Sequence, residues 1–489
     1  MKPNRLLLSL LILAKTFLFA QTNPPGLNLI RGDDLKKDLY ALSDAKFRGR
    51  SAGTMDELKA AAWMADKYRS IGIKPAGDNG TYFQYFNIWR NVLSSRSLIE
   101  LNNRPLILWK EIQVAQMANL SLNAPIVYLG NAAEIDTNTL DVKNKVVAIE
   151  ANSKGINLNI SLPTWRYNRY IYAKYGLPMI RRGVTAIVFI ADHEAENAWN
   201  DAGENFKLGT YDIDGGPNEN LSATVPVFWV HGNMKTDLQS NATIRANLIV
   251  AKYSYPSVNI IGVVAGTDPK LTSEYVMYSG HIDAHGVRNT IKNDSIYYGA
   301  DDNASVDVAM IATARAFVKY PSRKSVLFVI HGAEERGLLG SRYYSMHPTV
   351  PLHQIVAVLN GDMIGRNSSD SAALLGIRPP HRNSVDLVNM ALLANKEGPA
   401  FKIDSTWDDE KHIEGWYFRS DHLPYARLGV PAIMYSSLLH PDYHTPQDNA
   451  QNINYPKLKK MAEWMYRTGW KVANTDRRPL VDAGFKLER

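Results

Sequence analysis

Residues 325–341 read SVLFVIHGAEERGLLGS. The run from Ser325 to Ile330 is short, apolar and rich in branched and aromatic residues, a pattern that predicts a buried strand. Two adjacent glutamates, Glu334 and Glu335, follow it at once. If both carboxylates faced one apolar space they would repel each other. A dinuclear cation site removes that difficulty, because one carboxylate then binds metal while the other faces a bridging water. The ordinary alternative is a pair of surface carboxylates, which the setting HGAEERGLLGS makes the weaker reading.

Working outward, the runs Tyr275 to Ser279, Ile355 to Leu359 and Ala432 to Tyr435 read as further buried strands. Helical spacing over Asn303 to Tyr320 and Asn383 to Lys396 alternates with them, which predicts an α/β domain. In such sheets functional groups collect past the carboxyl ends of the strands. His281, in SGHIDAHG, and Asp362, in LNGDMIG, lie just past two of these ends. Asp362 follows the apolar run IVAVLN, a costly place for an uncompensated charge. Asp283 sits two residues after His281, close enough for an aspartate to accept the other ring N–H of a ligating imidazole. YGADDNAS places Asp301 and Asp302 at the start of a helix, where capping is a sufficient account of Asp301. His444 lies in PDYHTPQDNA, a polar loop where a solvated histidine is the default. Two histidines with several carboxylates suit a borderline ion such as zinc.

These five segments, in this order, resemble the zinc exopeptidases that include bacterial leucyl aminopeptidases, the glutamate carboxypeptidases and glutaminyl cyclases. The resemblance implies a three-layer, mixed-sheet zinc exopeptidase domain holding two Zn2+ ions. It implies His281 and Asp362 on one metal, Glu335 and His444 on the other, and Asp302 across both. Glu334 is then the general base, Asp283 supports His281, and Tyr443 is placed to donate to a tetrahedral oxyanion, as in the glutamate-carboxypeptidase branch. The family pattern usually ends the GADDNAS motif in glycine, whereas Val306 stands here, which bears on packing rather than ligation. RSDHLPYARLGVPAIMYSS, from Arg419 to Ser437, also looks like a family segment. Asp421 and His422 within it are expected in structural or pocket-lining roles, because the ligand positions are already filled. Arg419 is suited to orient a substrate carboxylate.

The expected activity is hydrolysis of peptides at a free terminus, with an aminopeptidase foremost. A carboxypeptidase or dipeptidase would use the same site, a glutaminyl cyclase would hold one zinc, and a receptor-like ectodomain should have lost ligands that are present here.

Residues 21–105 are expected to open the peptidase domain, and residues 251–489 to carry its main part. Asp33 to Leu42 and Met55 to Ile71 have helical spacing, with Gly72 as a stop. FRGRSAGT and IGIKPAGDNGTYFQYF look like the amino-terminal part of the same enzymes. Between these parts, residues 106–250 change texture. Strand-like runs recur at Ala124 to Leu129, Lys145 to Ala151, Thr185 to Ile190 and Val225 to Val230, with one helix-like stretch from Tyr172 to Arg182. VKNKVVAIE, RRGVTAIVFIA and VPVFWVHGNMKTDL resemble the strand-rich protease-associated domain often inserted in these peptidases. None of these strings carries a ligand cluster, so a cover or recognition module is expected there.

In the first twenty residues, Lys2 and Arg5 precede the apolar run Leu6 to Ala14, and Ala20 closes the segment. This pattern predicts a signal peptide, residues 1–20, cleaved after Ala20, and hence an exported protein, periplasmic or secreted, with no stable membrane insertion afterwards. The chain has no cysteine, which excludes thiolate ligands and disulfides. Its net charge of +7 falls to +4 without Lys2, Arg5 and Lys15. That excess carries no dense basic run and gives no argument for nucleic acid.

Overall fold

The computed structural model describes residues 23–136, 139–156, 166–239 and 241–488. The expected signal peptide lies outside them. Among the described residues a ten-stranded mixed sheet runs in the order Lys402–Ile403, Ser371–Leu375, Ala432–Ser436, Ile355–Gly361, Tyr275–His281, Ser325–His331, Val250–Val264, Phe83–Leu93 and Thr210–Ile213. Its tenth strand, Lys74–Pro75, pairs with Val250–Val264.

The four strands from Ala432–Ser436 to Ser325–His331 are parallel to one another, with antiparallel strands on both sides of the group. Their side chains alternate between two apolar cores. Val276, Tyr278, Val326, Phe328 and Ile330 pack under the helices Met55–Ile71, Ser305–Lys319 and Tyr455–Asn474. Met277, Leu327 and Val329 point the other way, toward Leu339–Met346 and Leu423–Arg427. A parallel sheet covered on both faces has few polar positions within its strands, which is why these segments read as continuous apolar runs. The result is the expected three-layer α/β arrangement.

Each of the four strands extends one or two residues past its expected end. The parallel ladder continues through polar residues, with His281 opposite His331 and Ser279 opposite Asn360. Because the registers match, His281, the Glu334–Glu335 turn and Asp362 emerge at the same sheet edge.

A second, eight-stranded sheet draws its strands from Leu98 to Leu248 and has an apolar core on each face. The stretch expected as one helix from Tyr172 starts earlier, at Arg166, and is broken by a wide turn over Tyr172–Gly176. Pro178 explains the break, since it has no N–H for a regular helical bond. From this region the helix Trp199–Leu208 leads into Thr210–Ile213, which leaves the second sheet and pairs with Phe83–Leu93 of the main one.

Val306, where the family pattern has glycine, packs against the glycines of two flanking strands. A Cβ on Gly280 or on Gly361 would come within 2.7 or 2.8 Å of the valine Cγ1.

Asp307 is an acidic helix position that is fully buried. Asp307 lies in the first turn of Ser305–Lys319, and neither carboxylate oxygen has a hydrogen-bond partner among the described residues. Burial pushes its pKa up to about 8, against the pull of Arg50, whose guanidinium donates to the carbonyls of Ile282, Leu42, Tyr298 and Gly299. A carboxyl group raised in the folded state contributes stability that is complete below its unfolded pKa and lost as pH rises through about 8. Asp307→Asn removes the charge at constant volume. Its free energy of unfolding in urea should therefore gain on wild type as pH rises, by about 1–3 kcal/mol above pH 8, the cost of one buried unsatisfied group. Parallel pH profiles for the two proteins would show that Asp307 is ionised throughout.

Candidate metal centre

His281 ends its strand fully buried, and its Nδ1 lies 3.1 Å from the backbone carbonyl oxygen of Asp283. That contact leaves Nε2 facing the site. The sequence expectation gave the ring N–H to the Asp283 carboxylate, but that carboxylate stands 3.7 Å from Nδ1. It accepts instead from the backbone N–H groups of Glu334 at 2.9 Å and Glu335 at 3.2 Å. The Asp283 side chain thus fixes the glutamate turn, while its backbone carbonyl holds the histidine ring. Ala333, with φ 55°, starts that turn.

Asp302 is held from behind. The carboxylate of Asp448 accepts the N–H groups of Asp301 and Asp302 at 2.9 and 3.1 Å. The Asp302–Asn303 peptide bond is cis. One oxygen of Asp302 lies 3.3 Å from His281 Nε2 and the other 3.1 Å from His444 Nε2. Burial opposes the charge on Asp302, yet His281 and His444 outweigh it and hold the carboxyl well below its ordinary range. Asp362 differs, since burial and the charge of Asp302 push it up to about 7. Glu334 is raised well above the ordinary carboxylate value, chiefly by burial.

Two sets of donors result. His281, Asp302 and Asp362 offer ligand atoms within 4.8 Å of one another, and so do His285, Glu335 and His444. These are the residues the sequence brought forward as ligands, with one addition, His285. Its Nε2 lies 3.3 Å from Glu335 Oε2, and its ring stands edge-on to that of His444 at 3.9 Å. Burial, then the charges of His444 and Arg288, depress its pKa well below the usual value, which leaves a neutral imidazole. The second histidine in SGHIDAHG was visible in the sequence, but nothing in the spacing said that it would turn toward Glu335. Asp448 had no signal beyond its polar loop.

The donor chemistry fits metal ions. The Nε2 atoms of His281, His285 and His444 and Oε1 of Glu335 are buried without a hydrogen-bond partner among the described residues. Uncompensated polar atoms of this kind are costly, and imidazole with carboxylate oxygen is a zinc-type donor set. The two oxygens of Asp302, directed at different histidines, suit a carboxylate that spans two ions.

A cavity of about 640 Å³ opens over this centre. Glu334, Asp302 and Asp362 line it, as do Tyr443 and Arg419. The Tyr443 hydroxyl accepts from Arg419 at 2.9 Å, and its ring stacks on His444 at 3.6 Å. Asp421 and His422 are fully buried and do not line the cavity. Arg166, Asp201, Asn205 and Leu208, all from residues 106–250, contribute to its wall. No residue of that span belongs to either donor set among the described residues.

Residues 259–468 match the model of peptidase family M28. Over 199 residues the chain is 27% identical to Aminopeptidase YwaD of Bacillus subtilis (strain 168), a match covering 39% of this chain and 42% of that protein. Among solved structures, an aminopeptidase from Aneurinibacillus sp. strain AM-1 superimposes with a TM-score of 0.60 at 17% identity, covering 94% of this chain and 98% of the other. A zinc aminopeptidase from Bacillus subtilis gives 0.56 at 18% identity, with 94% and 99% covered. At such identities these two establish a shared fold.

His285→Ala should weaken one of two bound metal ions while sparing the other. Zinc titration of the metal-free variant should give one site of wild-type affinity and one weakened by about tenfold or more, the usual scale for a lost supporting ligand. Two unchanged sites would make His285 a packing residue.

Proposed function

We propose that this chain is a metal-dependent exopeptidase of peptidase family M28, foremost an aminopeptidase, on the match of residues 259–468 to that family's model. Its expected substrates are peptides with a free terminus, and its expected cofactors are two Zn2+ ions. Export by residues 1–20 is part of the same reading. The observation that carries it is the placement of Asp302, one oxygen toward His281 and the other toward His444, with Glu334 on the cavity side.

His281 and Asp362 would hold one ion, Glu335, His444 and His285 the other, and Asp302 both. When bound, such ions lower the pKa of a shared water and polarise a carbonyl oxygen. Glu334 then has the work of a base: its carboxylate takes the proton of the attacking water and passes it to the leaving amine. Tyr443 already accepts from Arg419, so its own O–H is free to point at a developing oxyanion. Asp283 keeps Glu334 and Glu335 apart by binding the N–H of each.

A second reading, carboxypeptidase or dipeptidase, draws on Arg166 and Arg419. They approach the buried carboxylate of Glu414 at 4.0 and 3.5 Å, and both line the cavity. Amino-blocked and carboxyl-blocked peptides separate the readings, since an aminopeptidase needs only the free amine.

Glu334→Gln should keep both ions and the fold but lose about 10²–10⁴-fold in turnover, the usual range for a missing general base. Glu335→Gln should lose bound metal together with activity. Turnover and metal content measured on both variants decide the roles. Metal loss in Glu334→Gln with full retention in Glu335→Gln would reverse them, and full activity of Glu334→Gln would end the mechanism.

A further inference from the structure

Beside the metal centre, two cavities share one stretch of wall. The larger lies over the donor sets, and a second of about 350 Å³ continues it past His285. Arg288, on the strand Gly286–Ile291, and Arg336, directly after the two glutamates, line both. The other arginines of the second cavity are engaged. Arg48 approaches Asp56 at 3.5 Å, and Arg90 donates to the carbonyls of Leu208 and Lys207.

Arg288 and Arg336 have no such anion. Among the described residues neither has a carboxylate within ion-pair distance. Arg288 reaches only the side-chain oxygen of Asn205, at 3.5 Å, and lies over the Tyr297 ring. Arg336 donates to the Ser51 hydroxyl at 3.3 Å and lies over Tyr211. The nearby acids have other partners: Asp201 accepts from the Asn289 side chain at 3.4 Å, and Asp283 accepts the N–H groups of Glu334 and Glu335. Glu204 pairs with Lys207 at 2.6 Å, and the oxygens of Glu335 face His285 and His444. The two guanidinium groups also act on each other: burial first, then Arg336, lowers the pKa of Arg288. Two half-buried cations side by side, open to a cavity and without a counter-ion, are stabilised by an anion brought in from outside. The planar guanidinium fork favours a carboxylate.

We propose that Arg288 and Arg336 form a carboxylate subsite, so that peptides with aspartate or glutamate at the first or second residue are preferred. This rests on the peptidase reading above and narrows its substrate class. The metal centre supplies the chemistry and the arginine pair selects the side chain beside it.

The test uses matched amidated tripeptides, Glu-Ala-Ala against Gln-Ala-Ala and Ala-Glu-Ala against Ala-Gln-Ala. Amidation removes the terminal carboxylate as a rival anion, and free-acid Ala-Gln-Ala restores it in a separate arm. Affinities are measured by calorimetry on zinc-loaded Glu334→Gln protein, and kcat/KM on wild type. One acidic peptide should bind about tenfold more tightly than its amide twin, the scale of a charge-assisted contact. That ratio should shrink as salt is raised and fall to near one in the R288Q/R336Q variant made in the same background. Equal binding of the twins, a preference that survives in R288Q/R336Q, or a preference seen only with the free terminal acid would overturn the proposal. If wild type cleaves none of the peptides the peptidase reading fails, while the binding ratio still decides the subsite.

Discussion

Asp283, Asp302, Asp362, Glu334 and Glu335 converge at the carboxyl edge of one parallel sheet, and most of this architecture follows from the need to keep them charged there. Asp283 is fully buried and Asp302 and Asp362 nearly so. Carboxylates taken out of water in such number require positive charge or protons. The protein supplies little fixed positive charge at the centre itself. What it supplies are imidazoles whose free nitrogens face the carboxylate oxygens. The arrangement is that of a site organised around cations.

The sheet makes the convergence possible because its strands are parallel and in register. His281 and His331 end adjacent strands at the same level, and the Ile355–Gly361 strand delivers Asp362 beside them. Loops then carry the remaining donors in from farther away, and Asp302, Glu335 and His444 are braced from behind. Asp448 holds the backbone of Asp302, Asp283 holds that of Glu334 and Glu335, and Tyr443 stacks on His444. Such bracing fixes ligand geometry in advance of the metal, which matters where small displacements cost much of the rate.

Around this rigid centre the cavity wall is assembled from distant parts of the chain. Residues 199–208 come from the region with its own sheet, yet the strand that follows joins the main sheet through Phe83–Leu93. That pairing, together with contacts such as Asn289 to Asp201 and Arg90 to the Leu208 carbonyl, ties the second unit to the wall of the site. Selectivity can therefore change in the wall while the donor sets stay as they are, which is how one fold serves many substrates.

The sequence by itself determined the α/β class, the four central strands and the residues His281, Asp302, Glu334, Glu335, Asp362 and His444. Apolar runs long enough to be covered on both faces leave a clear periodic trace, and charges placed directly after them stand out against it. The Val306 substitution was legible too, but its packing against Gly280 and Gly361 was not, because contacts between strands and helix have no fixed spacing along the chain. Only the tertiary structure decided that Asp283 braces the glutamates through backbone N–H groups, that His285 joins Glu335 and His444, and that Arg288 and Arg336 lie together without a carboxylate. Each of these depends on where a turn or hairpin points its side chains. Turn direction is set by packing against residues far away in sequence, so local pattern carries the ligands but not their arrangement.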